Sequence, residues 1–208
     1  MDGRPTLAEH GVATDALRSL MATGFATFQS RRDAQPAIAS LGIEDSPTTL
    51  VPKPKATSDP WSHSDLYGYG AFPWHTDGAV ATTPPRWMVL ECERLERASH
   101  TELLDLPAEL LDRLRRLPMR VRDRNGRVRF LSAYRVVNGV RCLRWDPRVC
   151  VVKDTELSHL IGQQPPTVLC EWAAGRVVIV DNWRLLHRRP AVDPGAARTL
   201  LRTYVRTH

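Results

Sequence analysis

Two Asn-Gly pairs, Asn125-Gly126 and Asn138-Gly139, each separate two segments in which apolar and polar residues alternate. Asn-Gly between such segments is the strongest short-range signal for a β-hairpin, because the tight turn needs positive φ angles. Other short apolar segments, at 86–92, 177–180 and 199–205, are bounded by turn-forming residues and predict additional strands. A chain with so many short strands is restricted to sandwich-like or barrel-like folds.

Helical periodicity is confined to a few segments, at 5–22, 33–41, 107–117 and 154–161. Asp105 is available to cap the third of these helices. The pattern predicts a mainly β protein with flanking helices, folded as a double-sheet jelly roll, the double-stranded β-helix of cupin-like proteins. A length of 208 residues predicts one such domain over 1–208.

The composition favours a soluble protein of the cytoplasm. Apolar residues make up 42% of the chain and charged residues 25%, which is ordinary for a globular protein. There is no run of 18 apolar residues, and we expect no membrane-spanning helix and no membrane partner. The N-terminus lacks the apolar run of a signal peptide. The four cysteines form no C-x-x-C pair and are expected to be free buried thiols in a reducing compartment.

Residues 45–70 are rich in proline, serine and glycine and predict a long irregular loop. Long loops in compact domains are often lids or binding loops. This one leads directly into the segment 72–78, which contains chemically interesting residues. We therefore interpret 45–70 as an active-site lid that forms one wall of the site.

Two distant segments carry candidate metal ligands, His75 and Asp77 in the first and His187 in the second. Residues two apart on a strand share one face, so His75 and Asp77 can bind one ion together. Two histidines and one carboxylate on one face of a metal leave the opposite face open, as in non-haem Fe(II) oxygenases. Taken alone, His75 and Asp77 are also compatible with a salt-bridged turn, and His187 with a hydrogen-bonded rim residue.

Arg198 and Arg202 lie on the last predicted strand, four residues apart and hence on one face. A turn containing Pro190 and Gly195 would allow this strand to pair with the one that carries His187. Two inward-facing guanidiniums are costly unless anions meet them. A dicarboxylate cosubstrate and an acidic substrate would meet that need.

Together these residues resemble the taurine-dioxygenase-like, clavaminate-synthase-like branch of the Fe(II)- and 2-oxoglutarate-dependent oxygenases. The resemblance covers roughly 66–110 and 170–206. It rests on H-x-D at 75–77, the proline pair 84–85, a following threonine, D-N-x-R-x-x-H at 181–187 and R-x-x-x-R at 198–202.

The resemblance implies a role for each matching residue. His75, Asp77 and His187 would bind Fe(II), and Arg198 with Thr101 would bind the distal carboxylate of 2-oxoglutarate. Arg202 matches the position that meets the anionic group of the substrate in taurine dioxygenase. Its alternative role is that of a buried structural arginine paired with an acidic side chain. An aspartate at position 77 disfavours a halogenase, which leaves that position vacant for chloride.

The sequence also departs from the family's pattern. The segment between Asp77 and His187 is short, and Ala98-Ser99-His100 replaces the usual Gly-Gly-Asp before Thr101. Trp74, next to a candidate ligand, is expected either to line the substrate pocket or to pack in the core.

Within the lid, we interpret Tyr67 as a substrate-binding residue and His63 as a second candidate. The resemblance implies that O2 and 2-oxoglutarate are consumed while a small metabolite is hydroxylated, desaturated or cyclised. The substrate is expected to be amino-acid-like or an anionic natural-product intermediate. A cupin-like metal-binding module without turnover is an alternative, and the oligomeric state is not assigned.

Eight arginines lie between Arg113 and Arg129, and the chain has a formal net charge of +6. They form either a solvated surface or a site for an anionic partner, such as nucleic acid or a carrier-bound substrate. No aromatic residues interleave with them as a base-stacking platform would need. We therefore expect no nucleic-acid partner and favour the solvated surface.

Overall fold

The computed structural model describes residues 7–207, with side chains from residue 14 onward. Its helices are α1 (Leu7–Thr23), α2 (Arg31–Leu41), α3 (His63–Tyr67), α4 (Ala108–Arg115) and α5 (Thr155–Gln163). Its strands are β1 (Phe25–Phe28), β2 (Ile43–Glu44), β3 (Thr48–Leu50), β4 (Trp87–Leu95), β5 (His100–Asp105), β6 (Pro118–Arg122), β7 (Val128–Ser132), β8 (Tyr134–Val137), β9 (Val140–Leu143), β10 (Cys150–Val151), β11 (Val168–Glu171), β12 (Val177–Asp181), β13 (Leu185–Arg188) and β14 (Arg198–Arg206).

Two sheets face each other across an apolar core. The larger sheet has the order β1-β12-β4-β14-β2, with β3 also paired to β14, and the smaller has the order β11-β5-β13. Side chains from both sheets fill the space between them, including Leu90 and Val180 from the larger sheet and Leu103 and Leu185 from the smaller. This is the jelly roll that the sequence predicts, mainly β with flanking helices.

Helices cover the outer face of each sheet. Successive residues of β4 alternate between the two layers: Trp87 and Val89 pack with α1 and α2, whereas Met88 and Leu90 face the smaller sheet. Both faces of β4 and β12 are therefore buried, which explains why these strands read as continuous apolar runs. On the outer face of the smaller sheet, Leu104 joins a core with α4, α5 and the strands β6 to β10.

The two predicted hairpins are confirmed. Strands β6 and β7 pair around Asn125-Gly126, and β8 and β9 pair around Asn138-Gly139. Asn138 has φ 50° and Gly139 has φ 78°. These are the positive angles that a two-residue hairpin turn requires.

Several details differ from the sequence-based predictions. The segment 45–70 is not wholly irregular, since it contains β3, a 3-10 turn at Lys55–Thr57 and α3. Asp105 does not cap α4, which begins after Pro107 without a side-chain cap. Instead Asp105 ends β5 and pairs with Arg141 and Arg184. The Asp105 carboxylate therefore binds two arginines from other elements, whereas the local sequence predicted that it caps α4.

The four cysteines are free and buried, as expected. None of the helices in the described range has the length and apolar composition that a membrane span needs. His208 and the side chain of His10 lie outside the described residues.

Candidate metal centre and adjoining cavity

A pair of backbone hydrogen bonds joins the two segments that carry the candidate ligands. The amide of His75 donates to the carbonyl of His187 at 3.1 Å, and the amide of His187 donates back at 2.9 Å. This isolated antiparallel bridge places the two imidazoles side by side, with ring centroids 4.3 Å apart. The strand β13 thus fixes His187 and, through the bridge, also fixes His75.

Asp77 completes a buried group of three possible metal ligands. One donor atom from each of His75, Asp77 and His187 lies within 4.8 Å of the others, and all three side chains are buried. Asp77 Oδ1 is 3.9 Å from His75 Nε2 and 3.7 Å from His187 Nε2. The three residues that the sequence singled out are therefore brought together.

The second carboxylate oxygen of Asp77 is held by the larger sheet. Asp77 Oδ2 accepts hydrogen bonds from Arg202 Nη1 at 3.0 Å and from the Tyr204 hydroxyl at 2.9 Å. The backbone of Asp77 is held as well: its amide donates to Asn182 Oδ1, and Asn182 Nδ2 donates to its carbonyl. The carboxylate is thereby oriented with Oδ1 toward the imidazoles.

Tyr204 and Asn182 are site residues to which sequence analysis gave no role. Asn182 is fully buried and was available as part of the D-N-x-R-x-x-H motif. Tyr204 is two residues from Arg202 on β14, and alternation along the strand could have placed it on the same face.

Electrostatics at the site favour an ionised Asp77 and a neutral His75. Burial alone would raise the pKa of Asp77, but the Arg202 guanidinium and the two imidazoles outweigh it and hold that pKa well below its usual range. Burial, assisted by neighbouring His187, lowers the pKa of His75 to about 4. These are the protonation states in which carboxylate and imidazole bind metals.

The hydrogen bonding of His75 fits a metal ligand. Its Nδ1 lies 2.9 Å from the carbonyl oxygen of Pro73, an acceptor, so Nδ1 carries the proton and Nε2 is left with a free lone pair. A ring nitrogen bonded to a backbone carbonyl is the usual outer support of a metal-bound histidine. The donor set of two imidazoles and one carboxylate suits Fe(II).

The three ligands open into a cavity of about 390 Å³. Its wall includes Arg198 and Thr101 at one side, and residues of the segment 45–70 at another. His63 of α3 lies against the candidate centre, with its ring 3.9 Å from the ring of His75. The segment 45–70 thus contributes a wall of the cavity, as expected, and its action as a lid stays a prediction.

Arg198 is a buried cation that has no carboxylate partner among the side chains of residues 14–207. Its Nη1 donates to Ser99 Oγ at 2.9 Å and contacts the His100 carbonyl oxygen at 3.4 Å, while its Nε has no hydrogen-bond partner there. Burial lowers the pKa of Arg198 to about 10, so it stays charged at neutral pH. Thr101, also on the cavity wall, accepts a hydrogen bond from Trp172 Nε1 at 3.1 Å.

The position of β14 corrects one sequence-based expectation. Arg198 does not lie on a strand paired with the strand of His187, because β14 pairs with β4 in the larger sheet and β13 with β5 in the smaller. Both residues instead line the same cavity, each from a different sheet. Arg198 and Arg202 both line the cavity, although a bulge interrupts β14 at Thr199 and Leu200.

Two residues expected to bind substrate lie off the cavity wall. Trp74 is only 1% exposed, packs in the core and donates from Nε1 to the Gln164 carbonyl at 3.0 Å. Its alternative role, core packing, is the one that the structure supports. Tyr67 lies behind the wall, with its ring 6.5 Å from that of His63 and 6.1 Å from that of Phe72. His63, the second candidate in the lid, takes the position on the cavity.

The arginine-rich segment 113–129 combines paired and exposed side chains. Arg113 bonds with Asp154 and Glu156, and Arg115 with Asp112 and the Tyr134 hydroxyl. The other arginines of this segment, except Arg129, are exposed.

Comparisons with known proteins agree with the fold. The model of the taurine catabolism dioxygenase TauD, TfdA family matches residues 155–204. A taurine dioxygenase from Burkholderia xenovorans is 20% identical, with a TM-score of 0.70 over 99% of this chain and 83% of that one. Asparagine oxygenase in complex with Fe(II), 2S,3S-3-hydroxyasparagine and succinate is 16% identical, with a TM-score of 0.70 over 97% and 79%. AAD-2 in complex with Mn(II) and N-oxalylglycine is 15% identical, with a TM-score of 0.70 over 100% and 92%.

No curated protein matches the sequence. The chain has the jelly-roll fold of the taurine-dioxygenase-like oxygenases, and the resemblance noted in the sequence is confirmed.

Proposed function

We propose that this protein is an Fe(II)- and 2-oxoglutarate-dependent oxygenase that oxidises a small metabolite. The observation that carries the proposal is one cavity containing both the buried cluster His75, Asp77 and His187 and an unneutralised guanidinium, Arg198. Two histidines and a carboxylate leave room on the metal for other ligands. The free cation supplies a site for the far end of a dicarboxylate.

His75, Asp77 and His187 would hold the iron, with Asp77 binding through Oδ1. When bound, Fe(II) supplies the activation of O2, with 2-oxoglutarate converted to succinate and CO2 and the substrate oxidised. The chain itself orients the ligands: Arg202 and Tyr204 keep Oδ2 of Asp77 engaged, and the Pro73 carbonyl holds the His75 ring. This preorganisation reduces the ordering that metal binding would otherwise require.

Arg198 would bind the distal carboxylate of 2-oxoglutarate, with Thr101 beside it on the cavity wall. A planar guanidinium matches the two oxygens of a carboxylate. The bound anion would also neutralise a buried charge that is otherwise costly. The Thr101 hydroxyl already accepts from Trp172, which leaves its own hydrogen free to donate to the same carboxylate.

The substrate would occupy the remainder of the cavity, near His63 and the lid. We propose an amino-acid-like or otherwise anionic metabolite, in line with the cationic wall and with asparagine oxygenase among the similar structures. Hydroxylation is the simplest outcome, and desaturation or ring closure would use the same site. The described helices offer no membrane span, and we propose a cytoplasmic location and no nucleic-acid partner.

The decisive experiment measures metal binding and turnover in the same preparations. Wild-type protein should bind one Fe(II) under anaerobic conditions and release succinate from 2-oxoglutarate in air, and candidate metabolites should accelerate that release. Asp77→Ala should lose both properties. Asp112→Ala, which removes an exposed carboxylate paired with Arg115, is the matched control and should keep both.

The main alternative is a cupin-like module that binds metal without turnover. It predicts stoichiometric metal binding with no 2-oxoglutarate-dependent succinate release by the wild type, under any metabolite tested. Full activity in Asp77→Ala would contradict both the oxygenase and the assigned ligands.

A further inference from the structure

A second cavity, also of about 390 Å³, adjoins the one at the candidate metal centre. The two share Trp61, Gly78, Asp146 and Arg148 as lining residues, whereas Arg198 and Thr101 line only the first. The second cavity is completed by the loop after Gly78, by Val149 and by the tip of the β6–β7 hairpin. The cavity at the candidate metal centre therefore adjoins a second cavity, on a side that Arg198 does not line.

Trp61 stands at the boundary between the cavities in an unusual backbone conformation. Its φ of 67° lies in the left-handed region, which a bulky side chain rarely adopts. Its amide donates to Asp65 Oδ2 at 3.1 Å, and its carbonyl accepts from Arg148 Nη1 at 2.7 Å. Strained residues persist where their surroundings hold them, and they are concentrated at binding sites.

The wall of the second cavity has an excess of positive charge. Arg148 and Asp146 neutralise each other: Arg148 Nε donates to both carboxylate oxygens of Asp146, and Arg148 Nη2 donates to Oδ2. Asp123 Oδ1 accepts from the amides of residues 125 and 127 within the hairpin turn. Arg124 and Arg129 remain without a carboxylate partner in the described part of the chain.

Arg129 is the more constrained of these two cations. Its Nη2 donates to the Val80 carbonyl, while its Nε is buried and has no hydrogen-bond partner within residues 14–207. Arg124 is exposed at the hairpin tip. A guanidinium with unused donors beside a cavity is suited to an anion with two or more oxygens.

We propose that the second cavity binds an anionic group, a carboxylate or a phosphate, at the far end of an extended substrate. The carbon to be oxidised would lie in the first cavity, and Trp61 would separate the two ends of the molecule. This inference rests on the proposed function for the first cavity. It narrows the substrate class to molecules with an oxyanion remote from the reacting C–H bond.

The test uses inorganic phosphate as the probe, with the protein first saturated with Zn(II), a diamagnetic substitute for Fe(II), and with 2-oxoglutarate so that Arg198 is occupied. Calorimetry gives the affinity, and NMR of the arginine Nε–H groups locates the binding. Replacing Arg124 and Arg129 together by glutamine should weaken phosphate binding about tenfold and remove the responding Nε signals. A parallel titration with glutarate distinguishes a preference for carboxylate from one for phosphate.

The matched control replaces Arg120 and Arg122 together by glutamine. Both are exposed arginines of β6 that do not line the second cavity. It removes the same charge and should leave the affinity unchanged. Equal weakening in both double variants, no weakening in the first, or no phosphate binding at all would overturn the proposal. If the first double variant does not fold, Arg124→Gln alone must weaken binding, because Arg124 is exposed and makes no contact that the fold requires.

Failure here is distinguishable from failure of the proposed function. If Zn(II) or 2-oxoglutarate does not bind but the signals of Arg124 and Arg129 still respond to phosphate, the oxygenase assignment fails and the anion site stands. If both cofactors bind and those signals do not respond, only the anion site is wrong.

Discussion

The Arg202 guanidinium lies 3.0 Å from Oδ2 of Asp77, the carboxylate whose other oxygen faces the two imidazoles. From the sequence, Arg202 was expected either to meet the anionic group of a substrate or to pair with an acidic side chain of the protein. The structure gives it an acidic partner within the protein, and that partner is the candidate metal ligand itself. Arg202 nevertheless lines the cavity. Its primary contact orients Asp77, and its side chain is still placed where it can contact a bound substrate.

Replacing Arg202 should therefore weaken metal binding more than substrate binding. Arg202→Met leaves the buried Asp77 carboxylate without its main compensating charge, and protons should then compete with the metal. We expect the affinity for Mn(II) to fall at least about tenfold, whereas Arg202→Lys should retain most of it. Anaerobic calorimetry measures both. Unchanged metal affinity with a changed substrate constant would restore the role expected from the sequence.

Tyr204→Phe removes the other hydrogen bond to Asp77 Oδ2 without altering charge. Loss of an outer partner of a metal ligand typically costs about 10- to 100-fold in metal affinity, and we expect the lower end because Arg202 remains. Tyr134→Phe is the control, since its hydroxyl bonds only with Arg115 among the described residues. A Tyr204→Phe protein with wild-type metal affinity would show that this hydroxyl does not support the ligand.

Arg198→Lys should raise the apparent constant for 2-oxoglutarate and spare metal binding. A hydrogen bond to a charged group contributes about 1.5–3 kcal/mol, which corresponds to roughly 10- to 150-fold in affinity. Lysine keeps the charge but loses the planar fork. The measurement is succinate release against 2-oxoglutarate concentration, with the exposed Arg94→Lys as control. An unchanged apparent constant for 2-oxoglutarate would show that Arg198 does not bind its distal carboxylate.

Arg144→Met should destabilise the loop that follows Asp77. The Arg144 side chain is 2% exposed and donates to the carbonyls of Ala79, Ala81 and Thr82. Leaving buried carbonyls unsatisfied costs about 1–3 kcal/mol each, so we expect a loss of about 3 kcal/mol or more. Calorimetric melting should then show a Tm lower by roughly 6–12 °C. The exposed Arg120→Met should melt within about 2 °C of wild type; an equal Tm for both variants would contradict the structural role of Arg144.

Local patterns were sufficient for many elements of the fold. Asn138-Gly139 specifies its own turn through two positive φ angles, and the hairpin around it needs no distant contact. The strand 177–180 is recognisable because both of its faces are buried. His75, Asp77 and His187 could be grouped because metal chemistry demands that combination of side chains, whichever elements carry them.

Only the tertiary structure decided how strands pair and which faces oppose each other. The chain order suggested that β14 pairs with β13, but β14 lies in the other sheet, and Arg198 reaches the cavity across the core. The periodicity of apolar and polar residues predicts that a side chain faces the interior, but it does not predict which residue that side chain contacts. For this reason the Asp77–Arg202 pair, the core position of Trp74 and the contact of His63 with His75 could not be read from the sequence.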